Sequence, residues 1–130
     1  MGMPASPPVI VPRLRPELRP VTDLRPAEPV IVHIRCAPNY APSIRIWQST
    51  FLLDRDSAHT SALVDWKGIT SYPEWTWIRW GSPHPFTLIF EPLPRSVRVF
   101  DLQEIIPEPR GWHFLGIARK AQDVYHLDLP

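Results

Sequence analysis

Tryptophan is the residue type whose number and spacing most suggest a chemical role in this sequence. In an extended segment Trp75 and Trp77 share one face, whereas Trp80 lies on the opposite face with other apolar residues. Indole rings stack on sugars and bases, and tryptophan and arginine are enriched at the energetic centres of protein interfaces. The residues predicted to form a binding surface are Trp47, Trp75, Trp77, Trp80, Arg45 and Arg79. The alternative is that both faces of this segment are buried inside the domain, partly by the proline-rich residues 1–29.

Two kinds of occupant fit an exposed aromatic surface. A flat apolar patch would bind a protein partner or a second copy of the chain. A concave groove, with polar groups converging around exposed indoles, would instead indicate a lectin-like domain that binds carbohydrate or another small ligand. The net charge of +1 gives no broad basic field, so nucleic acid is not expected as a partner. The sequence favours a protein-interaction or assembly module.

Catalytic and metal-binding patterns are absent from the sequence. Its five histidines are not spaced as ligand pairs, and no serine lies in a Gly-x-Ser-x-Gly turn. Glu104 and Glu108 flank a short apolar stretch, where two exposed loop acids are far commoner than a catalytic pair. We therefore expect a non-enzyme without a cofactor or metal. A bound metal, or a polar cluster with displaced pKa values, would favour a hydrolase or metalloenzyme instead.

Alternating apolar residues indicate the elements that must position these side chains. Phe86, Leu88 and Phe90 alternate with Thr87, Ile89 and Glu91, a pattern typical of a strand with one buried face. Eighteen prolines disfavour long helices. The pattern predicts about eight strands, near residues 30–36, 44–53, 60–66, 74–80, 86–91, 97–102, 112–116 and 124–129. We expect an all-β fold, as an antiparallel two-sheet sandwich with Greek-key links.

Three segments of the second half resemble a recurring module. They are Phe86-Thr-Leu-Ile-Phe-Glu-Pro-Leu-Pro, Phe100-Asp-Leu-Gln-Glu and Gly111-Trp-His-Phe-Leu-Gly-Ile. The pattern is similar to small immunoglobulin-like β-sandwich domains in uncharacterised proteins of Bacteroidetes-type bacteria, and it covers a quarter to a third of the chain. The resemblance implies an immunoglobulin-like sandwich in which Trp112 and Phe114 anchor the core. It implies no activity, because such folds host many unrelated functions.

The first 29 residues are proline-rich and differ from the rest of the chain. Prolines fix φ and disfavour helix in the preceding residue, so an extended arm is expected here, followed by a domain over residues 30–130. The tripeptide Leu-Arg-Pro occurs three times in the arm, beginning at Leu14, Leu18 and Leu24. These leucines would enter pockets of a partner if the arm is a docking motif. A plain linker is the alternative reading.

The remaining sequence features concern the cellular compartment. Cys36 is the single cysteine, so no intrachain disulfide can form, and it lies on the apolar side of its strand. The first residues lack the pattern of a signal peptide, and no apolar run approaches the length needed to span a bilayer. We therefore expect a cytoplasmic protein that does not associate with membranes.

Overall fold

The computed structural model describes residues 27–130, and this part of the chain is all-β, which confirms the predicted class. None of these residues forms a helix that is long and apolar enough to cross a membrane. The nine strands are β1 (Val30–Cys36), β2 (Ser43–Ile44), β3 (Thr50–Asp54), β4 (Thr60–Lys67), β5 (Thr76–Trp77), β6 (His84–Phe90), β7 (Val99–Glu104), β8 (His113–Ala118) and β9 (Val124–Leu129).

Seven of the strands form one mixed sheet in the order β8-β7-β3-β4-β6-β1-β9, and β2 pairs with β5 in a small second sheet. Neighbours in the large sheet are antiparallel except for β1 and β9, which run parallel with Ile31 opposite Val124 and Cys36 opposite Leu129. Although β7 and β9 lie five places apart, Phe100 and Tyr125 contact edge to face with ring centroids 5.1 Å apart. The sheet is therefore curled, so that distant strands share one interior.

The core follows the predicted period of two. Along β6, Phe86, Leu88 and Phe90 are buried while the residues between them are less so, and β1 buries every second residue from Val30 to Cys36. Leu88 is 0% exposed. The inner faces of the strands meet in one cluster of apolar side chains. Alternation therefore identified the buried face correctly in β1 and β6, because each needs only one apolar side to cover the interior.

The curled sheet is held together at one end by Arg119 and Asp123, which flank the turn between β8 and β9. The Arg119 guanidinium pairs with both carboxylate oxygens of Asp123, at 2.7 and 3.0 Å. It also donates to the carbonyl oxygens of Leu93, Pro94 and Val97. We call this the Arg119–Asp123 cluster. It ties the connection between β6 and β7 to the start of β9.

Two segments differ from the predicted strands. The predicted strand at residues 44–53 is divided into β2 and β3, and only an isolated bridge from Ile46 to Ser71 lies between them. The predicted strand at 74–80 is reduced to the two residues of β5. A turn that contains the cis peptide bond between Tyr72 and Pro73 lies directly before it, and Glu74 N–H donates to the Ser71 carbonyl oxygen across that turn. Most of the predicted strand has no strand partner, so apolar residues on alternate positions are not sufficient to form a long strand.

Candidate functional site

A concave pocket of about 410 Å³ lies at the end of the large sheet where β7 ends and β8 begins. The chain segments around β2, the turn before β5 and the loop from β7 to β8 all contribute to it. Its walls consist of aromatic rings with acidic and basic groups between them. The lining residues are Tyr40, Ala41, Ser43, Ile44, Arg45, Trp47, Trp75, Glu104, Ile106, Glu108, Arg110 and Trp112.

Arg45 occupies a cage of aromatic rings on one side of the pocket. Its guanidinium carbon lies 3.9 Å from the ring centroid of Trp75 and 4.6 Å from that of Tyr72. Trp47 stacks on Tyr72 at 3.9 Å and lies 5.8 Å from the guanidinium. Its Nη1 donates to the Pro73 carbonyl oxygen at 3.2 Å, whereas its buried Nε has no hydrogen-bond partner within residues 27–130, so the ring faces add to the stabilisation of the cation. This arrangement fixes the orientation of Trp75, whose side chain remains half-exposed.

Glu104, the last residue of β7, is a buried carboxylate that connects two walls of the pocket. Its Oε2 accepts the backbone N–H of Trp47 and its Oε1 accepts the backbone N–H of Trp112, both at 3.1 Å. Burial raises the pKa of Glu104 above its ordinary value, because these two hydrogen bonds only partly replace solvation, and the charge of Glu108 acts in the same direction. The prediction that Glu104 is an exposed loop acid is wrong. Its two hydrogen bonds fix the backbone positions of Trp47 and Trp112 relative to each other.

The opposite wall combines a fixed indole with more accessible charges. The Trp112 ring stacks on Phe86 of the core at 5.3 Å, and its Nε1 donates to the Tyr40 hydroxyl at 3.0 Å. Glu108 is half-exposed and lies 3.4 Å from Nη2 of Arg45, a long contact. Arg110 is exposed at the rim. Polar groups thus converge on the pocket from several loops.

A second feature lies beside the pocket, in residues 72–80. This aromatic strip comprises Tyr72, Trp75, Trp77 and Trp80, all of them exposed, with 74% of Trp77 and 77% of Trp80 accessible to solvent. Residues 27–130 therefore do not by themselves bury both faces of this segment, and the proline-rich arm that the alternative also invokes lies outside the described residues apart from residues 27–29. The strip meets the pocket at Trp75, which belongs to both.

The structure brings together only part of the predicted binding surface. Trp47, Trp75 and Arg45 line the pocket, whereas Trp77, Trp80 and Arg79 are exposed and do not line it. Leu14, Leu18 and Leu24 lie outside the described residues. Sequence reasoning missed the pocket residues Tyr40, Glu104, Glu108, Arg110 and Trp112. An acid at the end of an alternating strand was the available signal for Glu104, but nothing local placed it beside Trp47.

Comparisons with known proteins supply no family for this chain: no family model, curated protein or solved structure matches it. Within residues 27–130 no group of three or more histidine, cysteine, aspartate or glutamate side chains is arranged to hold a metal ion. The functional argument therefore rests on the geometry of the pocket and of the aromatic strip.

Proposed function

We propose that this protein is a non-catalytic interaction module that self-associates, or binds another protein, through the aromatic strip. The observation that carries the proposal is the exposure of three tryptophans within six residues, at 48% for Trp75, 74% for Trp77 and 77% for Trp80. Isolated apolar residues are ordinary on protein surfaces, but clustered exposed aromatic rings are typical of interfaces. Covering them would remove a large apolar area from water.

The surroundings of the strip support its use as an interface. Trp75 is backed by the Arg45 guanidinium, and β5 pairs with β2, so two of the rings are attached to ordered elements. Rings that are already ordered lose little conformational freedom on association. Arg79 is exposed within the same segment and would contribute to a polar rim. Trp47, which is partly buried against Tyr72, acts as a support for the strip rather than as a contact.

We also propose a distant relationship to immunoglobulin-like sandwich modules. The three segments of the resemblance fall on β6, on β7 and on β8 with the residues just before it. Trp112 and Phe114 pack against the core cluster, as the resemblance implies. In this proposal the two halves of the curled sheet correspond to the two layers of a sandwich. The sequence pattern then marks β6 in one half and the paired strands β7 and β8 in the other, and the stacking of Phe86 on Trp112 connects them.

Light scattering on the full chain tests the proposal in its self-associating form. We expect a mass above that of the monomer that rises with protein concentration, and a monomeric mass for the double variant Trp77→Ser/Trp80→Ser. The control is Leu115→Ser, because Leu115 is 61% exposed on β8 and lies outside the strip. Loss of a single exposed apolar side chain there should leave the mass unchanged. Equal masses for the wild type and the double variant at every concentration would refute self-association through the strip.

A further inference from the structure

We infer that the pocket beside the strip is a binding site for a neutral saccharide, a ligand with an apolar ring face and hydroxyl groups at its edge. The inference concerns a second activity: the proposed interface shares Trp75 with the pocket, but it also uses Trp77 and Trp80, which do not line the pocket. It follows from the charges of the lining residues, from the arrangement of the indoles and from the size of the pocket.

The charges of the pocket give no net attraction to an ionic ligand of either sign. Two acids, Glu104 and Glu108, and two arginines, Arg45 and Arg110, line it, so their formal charges cancel. A purely apolar ligand is also disfavoured, because it would remove water from the half-exposed carboxylate of Glu108, whose contact with Arg45 is long, at 3.4 Å. A ligand that carries hydroxyl groups instead can donate to a carboxylate and accept from a guanidinium without a net charge.

The aromatic rings suit a ligand with a flat apolar face. Each indole is held from one side: Trp75 by the guanidinium of Arg45, Trp47 by Tyr72 and Trp112 by Phe86. The half-exposed surface of Trp75 is therefore held in place before a ligand arrives. A preordered indole binds the C–H face of a sugar ring at little entropic cost.

The polar atoms near these rings can form hydrogen bonds with the hydroxyl groups of a ligand. The Tyr40 hydroxyl accepts the Trp112 N–H and keeps its own proton for another acceptor. Glu108 makes only the long 3.4 Å contact with Arg45, so its oxygens can accept further hydrogen bonds. The volume of about 410 Å³ lies within the range of small-molecule pockets, about 300–1,000 Å³. This size fits a mono- or disaccharide.

Calorimetric titration of the full chain with maltose, cellobiose and lactose tests the inference. At least one of these neutral disaccharides should bind with a dissociation constant of about 1 mM or tighter. Trp75→Ala should abolish that binding, and Glu108→Gln should weaken it about tenfold, because one hydroxyl would lose a charged acceptor. The double variant Trp77→Ser/Trp80→Ser should bind the sugar within about twofold of the wild type.

Three results would overturn the saccharide site. They are the absence of binding by all three disaccharides up to about 10 mM, equal binding by glucuronic acid or glucosamine, and binding that Trp75→Ala leaves unchanged. Glu108→Gln also separates the two activities, since Glu108 lies outside the strip and the variant should keep the wild-type solution mass. If no sugar binds but the solution mass still depends on Trp77 and Trp80, the saccharide inference is wrong and the proposed interface is unaffected.

Discussion

At the scale of single residues, Glu104 shows how one buried acid can join two segments that are far apart in sequence. Each of its oxygens accepts one backbone N–H, from Trp47 and from Trp112. A glutamine in its place offers one acceptor oxygen and one donor group, so one of these N–H groups would face another donor. The pocket walls would then lose one of the contacts that set their spacing.

Since burial raises the pKa of Glu104 above 4.5, its carboxyl is protonated in the folded protein at about pH 4 and then carries one donor group, as glutamine does. We therefore expect Glu104→Gln to change the free energy of unfolding by less than about 1 kcal/mol at that pH. The stability that the protonated acid contributes is lost as pH rises through the folded-state pKa, whereas glutamine does not titrate. The variant should therefore gain stability relative to the wild type towards neutral pH, and urea denaturation at several pH values measures the difference. A wild type that gains stability relative to the variant as pH rises would contradict the raised pKa of Glu104.

The matched control for this prediction is Glu108→Gln. Glu108 is half-exposed and forms only a long ion pair, so its replacement should change the free energy of unfolding by less than about 0.5 kcal/mol.

Cys36 gives a second prediction at this scale. Burial raises the pKa of its thiol from 9.0 to about 11, so the reactive thiolate is about 100-fold scarcer than in the unfolded chain at pH 8. We expect a thiol reagent to label the native protein at least about 100-fold more slowly than the protein in concentrated urea. Mass spectrometry of timed samples measures both rates. Similar rates would show that the inner face of β1 is open to solvent.

At the scale of the elements, local sequence predicted the strands whose environment is simple. β1 and β6 have one buried face each, and their alternation could be read directly. Residues 72–80 carry equally apolar side chains, yet only Thr76 and Trp77 pair as a strand. Alternation records which positions are apolar, and it does not record whether another part of the protein covers them. The exposure of Trp77 therefore could not be derived from its neighbours in sequence.

The difference between a buried and an exposed strand position can be measured by comparing β6 with β8. Leu88→Ala should lower the free energy of unfolding by about 2–5 kcal/mol, because Leu88 is fully buried and the change leaves a cavity. Leu115→Ala in β8 is the same substitution at a residue that is 61% exposed, and it should cost less than about 0.5 kcal/mol. Chemical denaturation of the two variants provides the comparison. Equal losses of unfolding free energy would mean either that Leu88 is not buried or that Leu115 is not exposed.

At the scale of the whole molecule, the curled sheet depends on contacts between residues far apart in sequence. The all-β class followed from strand spacing, but the strand order did not, because alternation does not identify a strand's neighbours. The pocket also depends on contacts between residues far apart in sequence, since Trp47 and Trp112 are 65 positions apart and Glu104 joins them. Sequence reasoning found the aromatic residues and missed the acids that hold them together.

The Arg119–Asp123 cluster should determine the acid stability of the whole domain. Burial alone would favour the neutral acid, but hydrogen bonds from Arg119 and Tyr125 outweigh it and hold the pKa of Asp123 below 3.8. Its contribution is present above the unfolded-state pKa of 3.8 and is lost as pH falls through the lower folded-state value. Asp123→Asn should therefore destabilise the protein at neutral pH and flatten the acid end of its stability profile. Thermal unfolding from about pH 2 to pH 7 measures this.

Arg119→Met tests the same cluster by removing its cation instead of its acid. Removing the guanidinium leaves a largely buried carboxylate and three carbonyl oxygens without their donor, which should cost about 3 kcal/mol or more. Arg55→Met is the control, since Arg55 is largely exposed in its pair with Asp101 and should cost less than about 1 kcal/mol. A similar cost for both variants would show that the Arg119–Asp123 cluster contributes no more than a surface ion pair.

The parallel pairing of β1 with β9 has a mechanical consequence. Residue 27 leads into β1 at one end of this pair, and residue 130 leaves β9 at the other end. A force that pulls these two positions apart acts along both strands in opposite directions, so the six residue pairs of the ladder are loaded together rather than one after another. Such a shear geometry resists extension far better than peeling does. Stretched between its first and last described residues, this domain should yield at high force and in one step.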